Sequence, residues 1–239
     1  MLAALAAATT VAALSILAVG VGSGAQASTQ GSAATQLLHA ALHDALSRSS
    51  VHEVETQKTP KMSATLITDA GTKQGRQQIT RSGGEKAQVV AVGGAAYFSG
   101  NQAALIHYFG LPAALARKVG NRWVSVPSSS NGYSVVAGGT ILSSVVGSFA
   151  IPGRLTETGP TTVDGQPAVG ITAKGPVTGS TSASVSATVY VTRSRTPLPL
   201  RATYIFSDGG RATLDLSSWD ERLALKAPTN AIPAAQLQG

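Results

Sequence analysis

The chain has 239 residues, 43% apolar and 12% charged, which excludes a disordered solvating segment and allows one sizeable core or two small ones. Aromatics make up 5% while glycine occurs 26 times, a mixture that suits a turn-rich β protein better than a helical bundle. Cysteine is absent, which excludes disulfides, thiolate metal sites, a cysteine nucleophile and a lipid-modified cysteine, and the net charge of +7 is dispersed, with no basic run beyond Arg117–Lys118.

The first segment concerns export. Residues 1–21 read MLAALAAATTVAALSILAVGV, and no formal charge precedes Asp44. Ala25-Gln26-Ala27 then places small residues at the first and third positions before Ser28, the pattern a signal peptidase accepts. Residues 1–27 are therefore read as a signal peptide cut between Ala27 and Ser28. An uncleaved anchor is the other reading, since about twenty weakly apolar residues can span a bilayer. Either way the remainder is expected outside the cytoplasm, in the periplasm or cell envelope or secreted. Residues 28–34 form a small polar spacer, and residues 35–239 are read as a single α+β domain.

After the spacer, Leu38, Ala41, Leu42, Ala45 and Leu46 recur at helical spacing, with Thr35 as the expected cap. From Val51 the period changes to two. Met62, Ala64 and Leu66 alternate with polar residues, and Ala87, Val89 and Ala91 follow a Ser82-Gly83-Gly84 turn. Residues 101–119 and 133–149 carry short helical patterns broken by Gly110, Pro112, Gly138 and Gly139, with a short strand at Arg122–Pro127 between them. Asp164-Gly165 marks a hairpin. The cleanest strand is Val185–Thr192, followed by Leu200, Ala202, Tyr204 and Phe206, and then by Ala212, Leu214 and Leu216 after Asp208-Gly209-Gly210. The pattern predicts an antiparallel sheet with one polar and one apolar face, the apolar face covered by helices.

Several short segments, in order, resemble a known family. They are Gly94-Ala95-Ala96-Tyr97-Phe98-Ser99-Gly100, Phe109-Gly110-Leu111-Pro112, Asn121-Arg122-Trp123-Val124-Ser125-Val126-Pro127, Thr162-Val163-Asp164-Gly165-Gln166-Pro167, Leu198-Pro199-Leu200-Arg201, and Ser218-Trp219-Asp220 followed by Ala227-Pro228. Spanning roughly Leu37 to Pro228, the chain resembles the LppX/LprAFG family of actinobacterial cell-envelope lipoproteins. The resemblance implies a curved antiparallel sheet, an open half-barrel, with helices covering its concave apolar face. It also implies that acyl chains of lipids or glycolipids are held in the space between. The chain departs from the family in lacking the lipobox cysteine, which implies a soluble exported relative or one anchored by its N-terminus.

Candidate cavity-wall positions on the helices are Leu105, Phe109, Leu111, Leu115, Ile141, Leu142, Val145 and Phe149. On the sheet they are Val89, Val189, Val191, Tyr204 and Phe206. Each would serve equally in a closed core. No catalytic constellation emerges. His39 and His43 lie four apart but lack the glutamate and third ligand of a metal motif, no G-x-S-x-G or S-x-x-K occurs, and Glu53 and Glu55 share one side of a strand without further sign of acid–base chemistry. No metal or cofactor is expected. The scattered basic charge does not form a nucleic-acid face. Expected partners are a lipid or glycolipid and the membrane surface, and the expected state is a monomer. The leading function is a non-enzymatic lipid-binding or lipid-carrying envelope protein. The alternative is a structural or protein-interaction module on the same fold with a filled core.

Overall fold

The computed structural model describes residues 33–151, 153–176 and 184–237. The expected signal segment and its Ala27–Ser28 cleavage site lie outside the described residues. The strands are β1 (Ser50–Lys58), β2 (Ser63–Gly71), β3 (Gly75–Arg81), β4 (Lys86–Val92), β5 (Ala95–Gly100), β6 (Val124–Pro127), β7 (Thr156–Val163), β8 (Gln166–Pro176), β9 (Ser184–Thr192), β10 (Pro199–Phe206), β11 (Arg211–Ser217) and β12 (Ile232–Pro233). The helices are α1 (Ala33–Leu46), α2 (Gln102–His107), α3 (Ala113–Val119), α4 (Tyr133–Ala137) and α5 (Leu142–Gly147), with 3-10 turns at Gly138–Thr140 and Ala234–Leu237.

All twelve strands form one open sheet in the order β12-β6-β5-β4-β3-β2-β1-β11-β10-β9-β8-β7. Two antiparallel meanders, β1 to β6 and β7 to β11, are each built from neighbours in sequence. They are joined where β1 pairs with β11 from His52↔Ser217 to Lys58↔Arg211. Strand β12 adds a short parallel pairing on β6 at the far edge. The sheet is curved, and the helices inserted between β5 and β7 lie with α1 on its concave side. The sequence-predicted fold class therefore holds: α+β, with an open half-barrel covered by helices.

Local chemistry sets these elements. Asp164 and Gly165 both adopt positive φ (50° and 80°), the left-handed pair that a two-residue hairpin needs between β7 and β8. Asn101 caps α2 by accepting from the Ala104 N–H and also donates to the Gly84 carbonyl, tying the helix start to the β3–β4 turn. Helix α1 buries Ala34, Leu38, Ala41 and Ala45, a narrow stripe of mostly small residues that lets it lie close to β10 and α5. Its described residues begin at Ala33, so Thr35 lies inside the helix rather than capping it. Ala34 is buried in the main core, and that packing extends the helix past the polar residue.

Candidate functional site

The concave face carries two main apolar clusters, with a small third one of Ile79, Ala87 and Ala104 beside the second of them. The larger joins α1 and α5 to β8, β9, β10 and β11, and holds Leu142, Val145, Phe149, Val189, Val191 and Tyr204, with Phe206 packed at its margin. The smaller joins α2, α3 and α4 to β4, β5 and β6, and holds Val89, Leu105 and Leu111. Phe109 packs against it and stacks on Phe98, ring centroids 4.2 Å apart. Leu115 and Ile141 are half-buried outside both clusters. Apart from Leu115 and Ile141, the candidate wall residues are thus brought together in two groups on opposite halves of the sheet.

Several of the wall candidates, on helices and sheet alike, are completely enclosed. Leu105, Phe149, Val189 and Val191 are 0% exposed, so protein atoms meet them on every side. Phe109, Leu115, Ile141 and Phe206 keep accessible surface. The Gly138–Thr140 turn is seated firmly on the sheet: Gly71 bridges Ile141, Gln77 Nε2 donates to the Gly139 carbonyl, and a side chain at Gly75 would meet the Thr140 carbonyl oxygen at 1.9 Å.

Between the two clusters runs the central strand, whose concave face is polar. Val51, Glu53, Glu55 and Gln57 point inward, alternating with His52, Val54, Thr56 and Lys58 on the convex side. Glu53 lies opposite Thr68 on β2 and Leu216 on β11, and Glu55 lies opposite Leu66 and Leu214. Burial, reinforced by the neighbouring Glu55 charge, pushes the Glu53 carboxyl up to about 8. Burial raises Glu55 as well, although the Gln57 amide, donating to Glu55 Oε1 at 2.7 Å, opposes the shift. Tyr204 donates its hydroxyl to the Ser148 carbonyl, and burial followed by the nearby Glu55 and Glu53 charges pushes its phenol up. Sequence reasoning noted the two glutamates but not Gln57, Thr68 or Gln77. Their meeting is set by cross-strand register, which no periodicity in β1 alone reveals.

Histidine–carboxylate contacts occur elsewhere. His52 Nδ1 lies 2.6 Å from Asp69 Oδ1 on the convex face, where Arg76 Nε also reaches Asp69 at 2.5 Å. Burial acts to raise Asp69, but the bonds from His52 and Arg76 outweigh it and hold its carboxyl below the usual range. His107 Nδ1 lies 2.6 Å from Glu85 Oε1, and Glu85 also takes Arg81 at 2.7 Å. Among the described residues no hydroxyl bonds either imidazole, so neither pair has the nucleophile–base contact of a serine triad. His39 and His43 stand exposed on α1, and no group of three or more metal-ligating side chains occurs among the described residues. A cleft of about 360 Å³ opens on the convex face where residues 224–226 pass over Arg76, Gln78, Gln88 and Val90. Its lining mixes these charged and amide groups with Val89, Val90, Ala224 and Leu225.

No protein-family model matches the chain, and no curated protein sequence matches it. Solved structures do. LprF from Mycobacterium bovis superimposes with a TM-score of 0.52 at 15% identity, covering 82% of this chain and 96% of LprF. The Mycobacterium tuberculosis lipoprotein LppX superimposes with a TM-score of 0.53 at 16% identity, covering 81% of this chain and 98% of LppX. The chain has the LppX/LprF fold. At this identity the likeness concerns architecture, and it agrees with the motif order read from the sequence. No helix among the described residues is long and apolar enough to cross a membrane.

Proposed function

We propose that this chain is a non-enzymatic, exported envelope protein that holds the acyl chains of a lipid or glycolipid between its sheet and its helices. The observation that carries the reading is the near-complete overlap with LppX and LprF, which places nearly the whole of each within this chain's half-barrel. The composition of the interior supports it. Alanine and valine dominate the concave strands, and such residues leave volume when a covering helix moves.

On this reading a ligand enters by parting packed surfaces. Because Leu105, Phe149, Val189 and Val191 are fully enclosed, acyl chains lodge only where α2 to α5 lift from the sheet. The half-buried Phe109, Leu115, Ile141 and Phe206 mark where that opening starts, and the seated Gly138–Thr140 turn is the fixed point about which it occurs. Burying a dozen methylenes at about 0.8 kcal/mol each supplies about 10 kcal/mol against the cost of separating these surfaces. The same enclosure favours a second reading, an interaction module with a permanently filled core.

Enlarging a wall residue separates the two. Leu115→Phe is expected to cut the amount of lipid that copurifies with the protein while leaving the thermal midpoint within a few degrees. Val145→Phe, placed in close packing at 4% exposure, is expected to lower stability by about 1–3 kcal/mol as well. Lipid occupancy is read by solvent extraction and mass spectrometry. An unchanged occupancy in both variants contradicts a site between sheet and helices.

A further inference from the structure

The central strand presents an arrangement that acyl-chain binding leaves unused. Glu53 is buried, with 5% of its surface remaining, yet its carboxyl takes part in no hydrogen bond or ion pair among the described residues. Its oxygens are not sealed either. The buried side-chain atoms lacking both a partner and accessible surface are Arg48 Nε and Trp219 Nε1, so the Glu53 carboxyl faces a small accessible space. Beside it on the same face stands Glu55, whose bonded partner is the Gln57 amide.

The surroundings supply no counter-charge. The inward residues flanking the pair are Leu66 and Thr68 on β2 and Leu214 and Leu216 on β11. From β10 comes Tyr204, already bonded to Ser148, and from β3 comes Gln77, bonded to Thr68. Helix α5 and the Gly138–Thr140 turn carry no charged residue, and the charged residues His39, His43 and Asp44 of α1 lie away from its buried stripe. The cation nearest in register, Arg81, pairs with Glu85 at 2.7 Å and lies over the Tyr108 ring at 5.5 Å. The two carboxyl groups therefore share a leucine-walled space in which Glu55 has a single donor, the Gln57 amide, Glu53 has none, and neither has a positive charge beside it. A neutral hydroxyl would satisfy one acceptor without relieving the charge. A metal ion would want more ligands than this pair provides. An ammonium brings N–H donors and a positive charge together.

Resting on the acyl-chain reading, we propose that Glu53 and Glu55 form the head-group subsite of the concave face and take the ammonium of an amine-bearing amphiphile. The alkyl chain then lies along Leu66, Leu214 and Leu216 toward the apolar clusters on either side. Binding draws off the proton that the buried Glu53 otherwise holds, so affinity rises with pH until that carboxyl is ionised.

Calorimetry on the full chain, purified without detergent and stripped of lipid, tests this with three probes below their micelle concentrations: dodecylammonium, dodecanol and dodecanoate. Dodecylammonium is expected to bind about tenfold more tightly than dodecanol near pH 8.5, the preference weakening toward pH 6. Glu53→Gln is expected to abolish most of the preference while far-ultraviolet circular dichroism remains that of the folded native chain, and Glu55→Gln to reduce it. Equal binding of dodecylammonium and dodecanol, or a preference that survives both substitutions, overturns the head-group assignment while the acyl-chain reading stands. Binding of none of the three probes overturns both.

Discussion

Glu53 shows how one side chain couples this fold to pH. Its carboxyl ordinarily titrates at 4.5, and burial beside Glu55 raises it to about 8 in the folded chain. Between those values the folded state holds a proton that the unfolded state has lost. Stability is therefore full below about pH 4.5 and falls as pH rises toward 8. At about 1.4 kcal/mol per pH unit the loss is at most about 5 kcal/mol, and Glu55, raised in the same direction, adds to the slope. Glu53→Gln keeps the shape and removes the ionisable group. Urea unfolding across this range is expected to show a falling stability for the native chain and a much flatter profile for the variant. Parallel profiles would contradict the burial of an ionisable group at this position. The pair Glu53 and Glu55 was visible in the sequence as two acids on one side of a strand. Which side, and what faced them, was not: the convex set His52, Val54, Thr56 and Lys58 is nearly as polar, so alternation alone does not choose.

At the scale of elements, the short helices hold their places through a few close approaches rather than long apolar stripes. The Gly138–Thr140 turn is the clearest case, because the absence of a side chain at Gly75 lets the Thr140 carbonyl rest on β3. Gly75→Ala would force a methyl into the Thr140 carbonyl and close against the Asp69 carbonyl, at 2.8 Å. The turn then lifts, with an expected cost of about 1–3 kcal/mol. Hydrogen exchange is the direct readout: amides of residues 138–147 should exchange faster while β8 to β11 keep their protection. Uniform protection in the variant would contradict the seated turn. Sequence patterning located these segments, since Gly110, Pro112, Gly138 and Gly139 break the helical runs where the structure breaks them. It could not show that Gly75 receives the turn, because close approach between distant backbones leaves no trace in local periodicity. The strongly alternating strands, such as Ser184–Thr192, were legible because one of their faces is wholly buried. Edge strand β7 was not, since almost every residue in it is exposed and no apolar face marks it.

For the whole molecule, the order of the strands explains why the interior divides. The sheet pairing between the two meanders runs through β1 and β11, while the larger cluster reaches past that seam to Val51 on β1 and Ala70 on β2. The polar inner residues of β1, Glu53, Glu55 and Gln57, lie at that junction and belong to neither main cluster. The ordered motifs from Gly94 to Pro228 pointed to this architecture, and the superposition on LppX and LprF bears it out. Leu105, Phe149, Val189 and Val191 are enclosed, so the proposed lipid site requires the interior to open. Native mass spectrometry of the chain purified without detergent from an actinobacterial host, followed by solvent extraction, tests the central claim most directly. The account predicts a mass excess that extracts as acylated lipid. A bare polypeptide mass, unchanged after incubation with envelope lipids, would contradict it and leave the filled-core interaction module in its place.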